Sequence, residues 1–155
     1  MTACSGDQSR YPSLAIRDVE RVGGAFGPAS GPTDITPAEQ PGAETLDRLE
    51  GLRESAIAIH REFVAARPVT ARTVTSARSA DVASDRWASA QVALSDLESI
   101  RSRAAVALAD IDLLYVDATT DGRQLDRISQ ARADVLALID DEDAALGVLR
   151  AQMAR

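Results

Sequence analysis

Apolar residues recur at intervals of three and four from Ala43 nearly to the end of the chain, which places them on one face of an α-helix. The pattern breaks at Pro68, because a residue before proline avoids the helical conformation, and again at residues 118–122. We therefore predict three helices, at about residues 43–67, 70–117 and 122–153. Their apolar stripes are Leu46, Leu49, Leu52, Ala56, Ile59, Phe63; Trp87, Ala90, Leu94, Leu97, Ile100, Ala104, Leu108, Ile111, Leu114; and Leu125, Ile128, Ala131, Val135, Leu138, Ile139, Glu142, Leu146, Leu149, Met153.

Two short connections between three amphipathic helices require neighbouring helices to run antiparallel. The sequence thus predicts an all-α fold, an antiparallel three-helix bundle with coiled-coil character. The predicted second helix is about twice as long as the first. Its end at residues 70–82 would then be covered by the proline-rich N-terminal segment, frayed or kinked.

Residues 1–42 differ in composition, with glycine and proline recurring and no apolar periodicity beyond one helical turn. Such a segment buries too little apolar surface to offset the entropy of ordering. We predict a disordered, flexible tether at 1–42, followed by the bundle at 43–155.

The charge balance argues against nucleic-acid binding. The formal net charge is −7, and the 17 basic residues, all arginine, form no cluster. Because neutralisation of phosphates supplies most of the affinity for nucleic acids, an acidic chain without a basic patch is a poor binder. No apolar run approaches the roughly 18 residues that a transmembrane helix needs.

His60, the only histidine, is the first candidate for chemistry. A di-iron bundle requires Glu-x-x-His motifs on facing helices, and Ile57 stands three residues before His60. A catalytic serine would need His60 as its base, and no Gly-x-Ser-x-Gly turn is present. We interpret His60 as an exposed or boundary residue and expect no catalytic residues and no cofactor.

The acidic run at residues 140–143 could bind a divalent cation. On a helix, however, its four side chains point in different directions, and Glu142 falls on the apolar stripe, so a solvated face is the favoured interpretation. At the turn before the third helix, Asp121 and Gln124 have the spacing of a reciprocal helix cap.

Trp87, Leu94 and Leu97 are the candidate packing or interaction residues of the second helix. Trp87 occupies a stripe position and is interpreted as a packing anchor rather than a platform for a ligand. Arg101 and Arg103 flank the stripe, where we expect them to pair with acidic residues of neighbouring helices.

The only cysteine is Cys4, in Thr2-Ala3-Cys4-Ser5. A small residue before a cysteine, followed by a polar stretch, resembles the start of a mature bacterial lipoprotein whose signal peptide has been removed. Met1 stands where that pattern usually has leucine. The segments 11–15 and 87–98 also resemble small uncharacterised envelope lipoproteins of the alphaproteobacterial type.

By that resemblance, Cys4 would carry the diacylglyceride and an N-acyl chain. A tether of about 40 residues spans roughly 35 Å as a flexible coil, enough to hold a bundle away from a bilayer. We expect a non-enzymatic lipoprotein on the periplasmic side of the envelope, contacting an envelope protein or a second copy of itself. The alternative is a cytosolic helical adaptor or regulatory module with no lipid anchor, in which Cys4 is an unmodified thiol.

Overall fold

The computed structural model describes residues 37–154, and these form three helices that each pack against the other two. Helix α1 spans Ala43–Ala77, α2 spans Asp85–Thr120 and α3 spans Asp126–Met153. No strand occurs within residues 37–154. The predicted all-α antiparallel three-helix bundle is confirmed, whereas the predicted tether at 1–42 lies almost entirely outside the described residues.

Coiled-coil character is visible as a seven-residue spacing of buried positions on every helix. This spacing keeps one seam of each helix turned toward its partners. The buried heptad positions are Leu49, Ala56, Phe63, Thr70 and Ala77 on α1; Ala90, Leu97, Ala104, Ile111 and Ala118 on α2; and Ile128, Val135, Glu142 and Leu149 on α3.

The predicted end of the first helix at Pro68 is wrong, because α1 continues through Pro68 to Ala77. Proline removes one intrahelical hydrogen bond and crowds the preceding turn, at a cost of about 3 kcal/mol. Pro68 lies on the exposed side of α1, while Phe63 before it and Thr70 after it are buried on the same seam. Continued packing of that seam offsets the local cost of the proline.

The first interhelical connection is residues 78–84, so α1 and α2 have nearly equal lengths of 35 and 36 residues. The Asp81 side chain accepts a hydrogen bond from the Ala83 amide at 2.8 Å, which stabilises a turn there. Ser84 then caps α2 by accepting a hydrogen bond from the Trp87 amide. The prediction that residues 70–82 form the projecting end of the second helix is therefore wrong, because residues 70–77 belong to α1.

The second connection lies where the sequence predicted it, but its capping differs. Gly122 adopts a positive φ of 64°, a conformation that glycine accepts without strain. Asp121 ends α2, and α3 begins only at Asp126 without a side-chain cap, so the predicted Asp121–Gln124 cap is wrong. Instead, the backbone N–H of Gln124 donates a hydrogen bond to the backbone carbonyl of Glu39. This bond fixes the position of the segment that leads into α1.

Candidate functional site

A polar layer crosses the middle of the bundle between two clusters of buried apolar side chains. One cluster includes Leu49, Ile111 and Val135, and the other includes Phe63 and Leu146. The layer between them consists of His60 on α1, Arg101 on α2, and Glu142 and Asp143 on α3. Glu142 lies on the heptad seam of α3, whereas the other three residues flank the seams. A buried carboxyl among apolar seam residues makes this layer the strongest candidate for a functional site.

Glu142 occupies a core position, and its side chain has 0% exposure. Its Oε1 atom lies 3.0 Å from Nδ1 of His60, whose side chain is 20% exposed. Burial raises the pKa of the Glu142 carboxyl above its usual value of 4.5, and the hydrogen bond with His60 partly opposes that rise. His60 is thus the partner that makes a buried carboxyl tolerable at this position.

The second carboxylate oxygen of Glu142, Oε2, is buried and has no hydrogen-bond partner among the described residues. Nearby, Arg101 binds Asp143 in a bidentate arrangement, with distances of 2.7 and 2.6 Å. An ionisable pair with a buried member, such as His60–Glu142, commonly contributes less to stability than apolar packing at the same positions would. The best-attested use of such a pair is to fix helix register. The layer therefore aligns α1 with α3 at one position along the bundle.

The described residues form neither of the catalytic arrangements considered from the sequence at this layer, a serine–histidine pair or a metal site. Within residues 37–154, no serine hydroxyl forms a hydrogen bond with His60, and no group of three or more His, Cys, Asp or Glu side chains could hold a metal ion. A surface depression of about 550 Å³ lies between α2 and α3, lined in part by Tyr115 and Leu136, but it contains neither His60 nor Glu142.

The sequence located Glu142 on the apolar stripe but missed its pairing. Exposed Asp140, Asp141 and Asp143 fit the predicted solvated face, whereas Glu142 does not. An acidic residue on a core stripe needs a partner from another helix, and the chain contains a single histidine that could supply it. Both residues could be recognised in the sequence, but their contact could be predicted only if the register between α1 and α3 were known.

Ion pairs between helices account for the arginines that flank the seams. Arg101 pairs with Asp143 on α3 and Arg103 pairs with Glu62 on α1, as the sequence predicted. Further pairs join the helices at Arg53–Asp134, Arg132–Asp112 and Arg150–Glu98. Because these pairs are substantially exposed, each contributes little to stability.

The predicted packing residues of α2 divide into two groups. Leu94 and Leu97 are buried, with 5% and 1% exposure, in the cluster that contains Phe63, so their side chains are occupied within the bundle. Trp87 is only half-buried, one turn from the start of α2. It lies outside both apolar clusters, so the predicted packing anchor is at the edge of the core.

Comparison with protein-family models, curated proteins and solved structures found no match to this chain. The fold defines its class, a three-helix bundle of coiled-coil type, and any assignment of function depends on its residues. Among residues 37–154, no helix combines the length and apolar character required to cross a membrane. Cys4, the predicted lipid-attachment residue, lies outside the described residues.

Proposed function

We propose that this protein is a non-enzymatic lipoprotein of the bacterial cell envelope, attached to a membrane through Cys4. Its helical bundle acts on the periplasmic side as a structural or protein-interaction module. The observation that carries the proposal is the position of the single cysteine directly after Thr2-Ala3, as at the cleavage site of a lipoprotein signal peptide. Multiple acyl chains on one residue suffice for stable anchoring, whereas a single chain gives marginal binding.

The described bundle is compatible with a role in contacts between proteins. Its buried ionisable pair, His60 and Glu142, aligns helices, and its flanking arginines are used in ion pairs between helices. The long exposed faces of the three helices remain the surfaces on which a partner could dock. Proteins commonly recognise one another through helix faces, because side chains at heptad spacing interdigitate with those of a second helix.

Replacing Cys4 with serine is expected to abolish lipid incorporation, because the thioether requires the cysteine sulfur. The test is labelling with radioactive palmitate in the native host, using the gene with its natural upstream sequence. A matched control combines Cys4→Ser with Ser9→Cys, which keeps one cysteine in the same segment but outside the Thr-Ala-Cys context. We expect label in the wild type alone.

Label that persists in the Cys4→Ser chain, or a wild type without label, would rule out attachment at Cys4. The second result would favour the alternative of a cytosolic helical adaptor, in which the same bundle works without an anchor. Circular dichroism of each purified variant verifies that the helices are retained, so that loss of label is not a consequence of unfolding.

A further inference from the structure

An uncharged stripe runs along the outer side of α2 for almost its whole length. Its ten members alternate steps of four and three residues, and every one is exposed. None carries a charge, although 26% of the chain's residues are charged. We call it the outer α2 stripe; it consists of Ala88, Val92, Ser95, Ser99, Ser102, Val106, Ala109, Leu113, Val116 and Thr120.

The outer α2 stripe faces away from the rest of the bundle. Its members Val92, Val106 and Leu113 each follow a buried heptad position of α2 by two residues, which is about 200° around a helix. Their side chains are 61%, 62% and 58% exposed, and Val116 is 57% exposed. Large apolar side chains at coiled-coil spacing on a solvent-facing seam indicate a second seam that α1 and α3 do not cover.

We propose that the outer α2 stripe is the contact surface for a second copy of this chain, packed antiparallel along α2. The inference rests on the proposed function as an interaction module and specifies the partner. A symmetric dimer of this kind buries the same stripe on both copies around a two-fold axis that crosses the stripe between Ser102 and Val106.

The order of residues along the stripe favours the antiparallel arrangement. With full overlap, Val92 lies opposite the partner's Val116, and Ser95 opposite the partner's Leu113. Ser102 likewise lies opposite the partner's Val106. In the two of these pairs that contain serine, a small side chain faces a larger one, an alternation that fills the space between packed helices. A parallel, in-register pair would instead stack three consecutive layers of serine on serine and leave that part of the seam poorly packed.

The stripe is long enough to form a specific interface. From Ala88 to Thr120 it extends about 48 Å at 1.5 Å per residue, and a helix is about 10–12 Å wide. Each copy would therefore contribute roughly 500–600 Å², for a total near the roughly 1,000 Å² at which specific interfaces begin. The expected dimer is consequently reversible and weaker than an obligate one.

The test is sedimentation equilibrium of the full 155-residue chain carrying Cys4→Ser, which excludes intermolecular disulfides and lipid effects. Val106→Glu places a charge in the seam twice per dimer, so we expect the association constant to fall by at least about 100-fold. Val148→Glu is the matched control, because Val148 is 61% exposed on α3, outside the stripe. It should associate like its parent.

A parent chain that stays monomeric at about 100 μM would overturn the proposal, because the proposal requires a dissociation constant below about 100 μM. A dimer that survives Val106→Glu, or that Val148→Glu weakens equally, would overturn the placement on α2. Equal thermal unfolding of the two glutamate variants would exclude misfolding as the cause. None of these results depends on lipid at Cys4, so failure here is distinct from failure of the lipoprotein proposal.

Discussion

Replacing Phe63 with alanine is expected to lower the free energy of unfolding by about 3–5 kcal/mol. Phe63 has 0% exposure and is the only aromatic side chain in its cluster, which otherwise consists of alanine, valine and leucine. Small neighbours such as Ala90 cannot extend into the vacated space, so a cavity would remain beside the polar layer. Chemical denaturation followed by circular dichroism gives the free energy directly.

Val64→Ala is the matched control for Phe63→Ala, because Val64 is the next residue of α1 and is 41% exposed. Its effect should remain below about 1 kcal/mol, since an exposed truncation leaves no internal cavity. Similar losses in the two variants would mean that Phe63 does not occupy the core.

Replacing Glu142 with leucine is expected to stabilise the folded protein at neutral pH by about 1–3 kcal/mol, the cost of burying a polar atom that lacks a hydrogen-bond partner. Glu142 lies on the core seam with one carboxylate oxygen lacking a partner. His60 loses its partner in this variant but is 20% exposed and can reach water. Asp141→Leu, on the exposed side of α3, is the control and should change stability little.

The pH dependence of this effect has a defined sign. Because burial raises the pKa of Glu142 in the folded state above 4.5, the native protein retains a proton that the unfolded chain has lost. Stability therefore falls as pH rises from about 4.5 through the raised pKa, whereas below about 4.5 both states are protonated and the cost disappears.

Glu142→Gln cannot titrate at this position, so its stability relative to the wild type should increase between about pH 4 and pH 7. Asp134 has a lowered pKa, caused by hydrogen bonds from Gln130 and Arg53, and contributes the opposite slope. That contribution is present in both proteins and cancels in the comparison. A constant difference across this pH range, or a destabilised Glu142→Leu, would contradict the structural account of the pair.

Much of the fold could be predicted because apolar periodicity reports helices directly. The error at Pro68 arose from a local rule: proline disfavours helix in the residue before it, but the seam formed by Phe63, Thr70 and Ala77 continues at seven-residue spacing on both sides. Tertiary packing decided the outcome, and the real break has weaker signals, Asp81 and Ser84, which stabilise the turn and cap α2.

The site was harder to predict, since it depends on which positions of different helices meet. Glu142 was recognisable as an anomaly on an apolar stripe, but its contact with His60 follows only from the alignment of α1 with α3. The outer α2 stripe could not be predicted from the sequence for the same reason. Val92, Val106 and Leu113 stand out as a second seam only after the first seam of α2 is known to be buried against α1 and α3.

We propose a membrane-anchored module that acts through the outer α2 stripe. The most direct measurement is photo-crosslinking in the native host, with a photo-reactive amino acid in place of Val106 and, as control, of Val148. We expect a species at twice the mass of the chain, in the membrane fraction, from position 106 only. A product of equal strength from both positions, or chain found only as uncrosslinked monomer outside the membrane fraction, would contradict this proposal.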